Sequence, residues 1–155
     1  MNRDGSRIVQ LTDEDGEDYS PRWSPDASRI AFYSFRGGHY DVFVVDIATR
    51  ELTQLTVNET DDTYPSWSPD SSQLVYVSTD PSGFDSELFV MDANGSNRRQ
   101  LTSNDAHEDF PIWASPPAVE PFVDSGPTRV AYDENVDTTH LIAFTSDRDG
   151  DDEIY

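Results

Sequence analysis

Apolar and polar residues alternate with a period of two in short runs along this chain; RIAFYS, DVFVVD, LVYVS and LFVMD are the clearest. Gly, Pro, Asn and Asp punctuate them. This pattern predicts short antiparallel strands joined by tight turns, not helices. No run approaches the roughly 18 apolar residues of a membrane-crossing helix, so no membrane insertion is expected. The opening, MNRDGSRIVQ, lacks the apolar stretch of a signal peptide.

The runs repeat. Trp23-Ser-Pro-Asp and Trp67-Ser-Pro-Asp lie 44 residues apart, and Trp113 follows 46 later. The Leu-Thr pairs at Leu11, Leu55 and Leu101 keep the same two steps, and Pro21, Pro65 and Pro111 each stand two residues before a Trp. Each copy holds four short strands, as in PRWS, RIAFYS, DVFVVD and ELTQLT. Four strands in a recurring unit of this length predict the blade of a β-propeller. The third copy is interrupted. The second strand begins seven residues after Trp23 and Trp67, at Ile30 and Leu74, but Ile142 comes 29 after Trp113. The difference is an insertion at about 116–139, rich in Pro at its start, with one strand-like run, TRVAY. It is expected to form a surface hairpin or extended loop; a lid or partner-binding arm is the alternative.

The pattern LT…YPSWSPDSSQLVYVS…LFVMDANGSNRRQLT resembles the TolB-like β-propeller repeat, within the wider tryptophan–aspartate-repeat-like propellers. The WSPD, VMD-x-x-G and RQLT elements carry the resemblance, which spans nearly all of the chain except the insertion. It implies an all-β fold of four-stranded antiparallel blades. It also implies a noncatalytic binding platform with a periplasmic or extracellular location. Two departures bear on turn geometry. The usual Gly after SPD is Ala27 and Ser71, and the third copy lacks SPD, so its turn is expected to differ.

The ends fit one repeat. MNRDGSRIVQLT agrees with MDANGSNRRQLT, Met91 to Thr102, at Met, Gly, Ser, Gln, Leu and Thr, and Tyr155 aligns with Phe89. The expected organisation is therefore the end of a blade at 1–12, blades at 13–56 and 57–102, and a blade at 103–155 that lacks its last strand. About three blades form an incomplete ring, since propellers typically close with 4–8. The chain is then a fragment of a longer propeller, half of a homodimer completing a six-bladed ring, or a monomer with exposed edges. Ile30, Phe32, Val42, Val44, Leu74, Tyr76, Leu88 and Val90 are expected to pack the blade faces, and Trp23, Trp67 and Trp113 to pack between blades.

Charge sharpens the picture. There are 31 Asp and Glu against 10 basic residues, all Arg, for a net charge of −21. Such a chain repels nucleic acid and attracts cations; the same acidity also serves solubility at high salt. No Cys is present, which excludes disulfides and thiolate metal sites. Strands alternate in direction, so the loop entering a blade and the loop joining its second and third strands lie at one end. These two loop classes hold 20 of the 31 acidic residues. The candidate binding face takes Asp15, Asp18, Asp61, Asp62, Glu108 and Asp109 from the first class, and Asp41 and Glu87 from the second. Its partner would be a protein or a cation.

In DRDGDDE, Asp147, Asp149, Asp151 and Glu153 are candidate hard-oxygen ligands for Ca²⁺. An ordinary hairpin turn explains the same residues, and the equivalent loops of the other copies do not keep three carboxylates. His39, His107 and His140 read as loop histidines. Tyr19, Tyr64 and Phe110 are expected to approach the central channel. Asn58 and Asn94 begin glycosylation sequons, a frequent chance match. No nucleophile elbow, phosphate loop or zinc-protease motif occurs. The leading function is therefore a noncatalytic binding module or scaffold. The alternative is the substrate-gating propeller of a serine hydrolase whose catalytic domain lies outside this chain.

Overall fold

The computed structural model describes residues 4–12, 16–83, 85–114, 141–146 and 153–154; the insertion at 116–139 lies outside them. Among the described residues the chain is all-β. The first antiparallel sheet holds β1 (Glu17–Trp23), β2 (Arg29–Arg36), β3 (His39–Asp46) and β4 (Leu52–Gln54), in that order. The second holds β5 (Asp61–Trp67), β6 (Gln73–Thr79), β7 (Ser86–Asp92) and β8 (Arg99–Gln100). The third holds β9 (Glu108–Ala114), β10 (Leu141–Ser146) and β11 (Glu153–Ile154). These are three successive blades of an open propeller, in which β5 packs on the first sheet and β9 on the second.

The period-two alternation sends neighbouring residues to opposite faces of each blade. The expected core residues therefore divide between faces. Val42 and Val44 join Ala31 on the face toward the second blade, where they meet Trp67, Leu74, Tyr76 and Met91. Val75, Val77, Leu88 and Val90 face the third blade and pack with Trp113, Ile142 and Phe144. Ile30 and Phe32 turn the other way, with Phe43 and Val45.

The tryptophans show what each face needs. Trp67 is 5% exposed and Trp113 7%, each inserted between its own blade and the one before. Trp67 Nε1 donates to the Arg22 carbonyl at 3.0 Å. The Arg29 guanidinium lies over the Trp67 ring, 4.7 Å from its centroid, and donates to the Ser71 carbonyl at 2.8 Å. Trp23, expected in the core with its counterparts, is instead 57% exposed. The reason is geometric: this Trp packs on a preceding blade, and no described sheet lies on that side of the first.

Local motifs now have physical roles. In the WSPD turns, Ser24 Oγ and Ser28 N donate to Asp26 Oδ1 at 2.6 and 3.0 Å, and Ser68 and Ser72 repeat the pattern on Asp70. In the Leu-Thr pairs, Leu55 N and Leu101 N donate to the carbonyls of Val42 and Leu88. Thr56 Oγ1 and Thr102 Oγ1 then accept from Val42 N and Leu88 N, both at 2.9 Å. The hydroxyl thus carries the ladder one step past the end of the short fourth strand. Gly5 and Gly95 share a left-handed turn (φ 81 and 84), as do the following Arg7 and Asn97.

Ala27 and Ser71 occupy the Gly position of their turns and adopt φ 58 and 63. A Cβ there costs about 1–2 kcal/mol relative to Gly. Ala27→Gly should therefore raise stability by about 1 kcal/mol. Ser71→Gly should gain less, because Ser71 Oγ accepts from Asp26 N across the blade interface at 3.1 Å. Denaturant melts of the two variants decide it. The same assay should show Trp67→Ala losing about 3–5 kcal/mol, while Trp23→Ala changes stability by about 0.5.

Candidate functional site

The loop end of the propeller separates its acids into two sets. Asp41, Asp62, Glu87 and Glu108, expected on an exposed binding face, are buried at the blade junctions. Asp41 accepts from Thr56 Oγ1 at 3.0 Å and Gln54 Nε2 at 2.9 Å. Asp62 accepts from Asn58 Nδ2 at 2.8 Å. One junction further on, Glu87 accepts from Asn104 N, while Asn104 Nδ2 and Ser146 Oγ donate to Glu108 Oε1 at 3.0 and 3.1 Å. These carboxylates are committed to interior polar networks, since a buried charge must be hydrogen-bonded or paired. They cannot meet a partner's surface. Glu87 Oε2 is nevertheless buried with no hydrogen-bond partner.

Asp61 and Asp109 stay partly exposed on the inner strands, and Glu17 and Asp18 are exposed at the first. Asp61 Oδ1 accepts from Tyr40 N at 2.9 Å and lies 3.9 Å from His39 Nδ1. Asp109 Oδ1 accepts from Phe110 N at 3.0 Å. His107, expected as an idle loop residue, sits 3.0 Å from Ser86 Oγ across the second junction, where Ser86 also donates to the Glu108 carbonyl. Asn58, in the first sequon, is engaged at Asp62. Asp15, Asp147, Asp149, Asp151 and His140 lie outside the described residues; Glu153 begins β11. Among the described residues no three His, Asp or Glu converge as a metal site.

The inner strands carry a feature that spacing alone suggested only in part. Each has a bulge, between Tyr19 and Arg22, between Thr63 and Ser66, and opposite Ala143 and Thr145. At each bulge one residue is left-handed: Ser20, Tyr64 and Phe110, with φ 48, 51 and 50. A bulge re-aims a side chain. Here Tyr64 and Phe110 meet at 4.5 Å between ring centroids, and Tyr33 reaches Tyr64 at 5.2 Å. Tyr19 stacks on Tyr33 at 5.5 Å, Tyr40 joins both, and Phe35 joins Tyr40 at 5.1 Å. Six rings thus form one cluster across all three blades. Tyr19, Phe35 and Phe110 are exposed, as is Ile112 on β9. Tyr19 OH donates to Glu17 Oε2 at 2.5 Å, and that bond raises the phenol to about 12. Burial, then the hydrogen bond with Tyr33, raises Tyr64 to about 12 as well.

Two arginines repeat one arrangement from different places in the chain. Arg36 donates to Ser34 Oγ at 3.0 Å, pairs with Asp18 at 3.1 Å and covers the Phe43 ring at 4.8 Å. In the second blade Ser78, Asp62 and Phe89 hold the matching positions, but Asp80 stands where Arg36 would be. Arg98, from the approach to β8, supplies the guanidinium instead: 3.1 Å to Ser78 Oγ, 3.7 Å to Asp62 and 4.4 Å from the Phe89 centroid. Repeat alignment misses this, because the replacement is distant in sequence.

The fold and its repeated turns define a β-propeller segment. A family model for the TolB beta propeller domain matches residues 1–119 of the 155, and the chain belongs to that family. The structure is similar to TolB from Acinetobacter baumannii, with a TM-score of 0.66 and 22% identity, over 99% of this chain and 32% of that one. It is also similar to an oligogalacturonate lyase from Vibrio parahaemolyticus, with a TM-score of 0.54 and 17% identity, over 94% of this chain and 51% of that one. The chain thus spans about a third of that TolB and about half of that lyase. No curated protein matches it in sequence.

Two aspartates of the first blade should titrate in opposite directions. Burial, against the Thr56 hydrogen bond, holds Asp41 above 3.8, and the nearby Asp62 charge adds to this. Hydrogen bonds from Ser24 and Ser28 hold Asp26 at about 2. The stabilising effect at Asp26 is complete above the unfolded value near 3.8 and is lost as pH falls toward about 2. The cost of ionised Asp41 is relieved as pH falls through its raised value. Carboxyl NMR titration should find the two on opposite sides of 3.8, and Asp26→Asn should flatten the acid limb of the stability curve.

Proposed function

We propose that this chain is a noncatalytic propeller module that docks a positively charged protein partner at its loop end, in a periplasmic or extracellular setting. What supports the reading is the division of the acids. The buried carboxylates serve the blade junctions, while Glu17, Asp18, Asp61 and Asp109 remain at the solvent side of the same end. Glu17, Asp61 and Asp109 lie beside the aromatic cluster, a combination suited to a protein surface rather than to a small anion. Family membership supports the location. Blade boundaries at 13–56, 57–102 and 103–155, in a ring completed by further blades or by a second copy, belong to the same proposal. The exposure of Trp23 supports it, since the matching face of Trp67 is covered by a neighbour. Ca²⁺ at Asp147, Asp149, Asp151 and Glu153 is the competing cation reading, and rests on their spacing.

Matched charge reversals test the docking face. At about 0.15 M salt a lysine-rich peptide should bind several-fold more weakly to Asp61→Lys than to the parent chain. Glu51→Lys, at the opposite end, should change binding by less than about twofold. Equal losses from both would show attraction to net charge alone, and would contradict a docking face. If Ca²⁺ raises the melting midpoint and Asp149→Asn with Asp151→Asn removes that rise, the cation reading gains at the expense of the protein partner.

A further inference from the structure

We propose that Asn94, in the turn between β7 and β8, is an acceptor for N-linked oligosaccharide, and that Asn58 is not. The inference goes beyond the docking reading and shares with it only the extracytoplasmic location.

Both residues open an Asn-x-Ser/Thr triplet, Asn58-Glu59-Thr60 and Asn94-Gly95-Ser96. The triplet alone is a frequent chance match, and it is the structure that separates the two. A linked sugar is bulky and must project into solvent. Asn94 and Ser96 are both exposed, and Gly95 between them takes φ 84. A Cβ at Gly95 would stand 3.0 Å from the Leu55 carbonyl oxygen. The turn therefore rests on the first blade through its Gly and leaves its Asn outside.

The Asn94 side chain has a settled orientation. Ser96 N donates to Asn94 Oδ1 at 3.0 Å, which identifies that atom as the oxygen. Ser96 Oγ donates to the same oxygen at 2.6 Å, so the amide and the hydroxyl of the triplet already lie side by side. Asn94 Nδ2 makes no hydrogen bond among the described residues.

The turn does not need that nitrogen. Asp4-Gly5-Ser6 forms the same turn, with Ser6 N and Ser6 Oγ donating to Asp4 Oδ1 at 2.9 and 2.7 Å and Gly5 at φ 81. A carboxylate, which has no donor, serves there as well as an amide. A bond formed on Asn94 Nδ2 thus breaks no contact of the fold.

Asn58 is the opposite case. Its Nδ2 donates at 2.8 Å to Asp62 Oδ2, and Asp62 is fully buried. A sugar on that nitrogen would have to enter the blade junction, and would displace a donor from a buried carboxylate.

In the transfer, Asn94 Nδ2 forms a bond to C1 of the sugar while the bond from C1 to the phosphate of a lipid-linked oligosaccharide breaks. The lipid phosphate leaves, and the amide gives one proton to a base of the transferase. β7 runs from Ser86 at the loop end to Asp92, so the sugar stands at the end of the blade away from the docking face.

The test is secretion of the 155-residue chain from a glycosylating eukaryotic host, followed by mapping of intact glycopeptides, which spontaneous deamidation at Asn94-Gly95 cannot imitate. Sugar should occupy most copies at Asn94 and about tenfold fewer at Asn58. Ser96→Ala should abolish the modification and Ser96→Thr should keep it. Asn94→Asp should lose it while retaining the melting midpoint of the unmodified chain, as the turn at Asp4 requires. The glycosylated chain should bind a lysine-rich peptide within about twofold of the unmodified one. A bare Asn94, or equal occupancy at Asn58, overturns the inference and leaves the docking reading standing. Failure of the peptide to bind either form overturns the docking reading alone.

Discussion

A propeller blade has two apolar faces and cannot bury either by itself. Everything else in this chain follows from that constraint. The inner-strand tryptophan is the device that meets it. Trp67 enters the first blade's face, fixed by its bond to the Arg22 carbonyl and by the Arg29 guanidinium above its ring. Trp113 does the same to the second blade. Exposed Trp23 shows the same residue type where no described sheet lies beside it. A once-per-repeat Trp is thus a contact between neighbours, not a property of a single blade.

The acidic composition has two physical meanings that sequence position alone merges. Asp41, Asp62, Glu87 and Glu108 fall in loop-proximal positions when the chain is read in repeats, and so were expected with the exposed acids. Burial separates them. Each lies where one blade meets the next and is hydrogen-bonded or ion-paired there by hydroxyls, amides or a guanidinium, with Glu87 Oε2 the oxygen left over. The relocated guanidinium, Arg36 in one blade and Arg98 in the next, shows that matching blade positions keep the same chemistry while the residue that supplies it changes. These interior networks leave a smaller set of carboxylates to face solvent, beside the aromatic cluster.

Much of the fold was legible in the chain. The period-two runs mark the strands, and the 44- and 46-residue steps mark the blades. WSPD marks a turn whose Asp gathers donors, and Leu-Thr marks the end of the fourth strand. The departures at Ala27 and Ser71 were legible too, because a residue replacing Gly in that turn must accept a left-handed conformation. The bulges were not. Ser20, Tyr64 and Phe110 look like ordinary strand residues before Pro, and only the backbone shows that each inner strand shifts register there. That shift gathers the rings into one cluster, so its extent could not be counted from spacing. The face to which each apolar residue belongs depends on pairing register, which alternation specifies only up to a choice of side.

The central claim is that each blade is stabilised by its neighbours, so the middle blade, covered on both faces, should be the most protected. Residue-resolved hydrogen exchange on the 155-residue chain tests it directly. The slowest amides should be those of β6 and β7 in the second blade, with β2 and β3 of the first exchanging faster. Slower exchange in the first blade, or equal protection across both, would mean that each sheet is stable alone and that the tryptophan contacts are not what holds the array together.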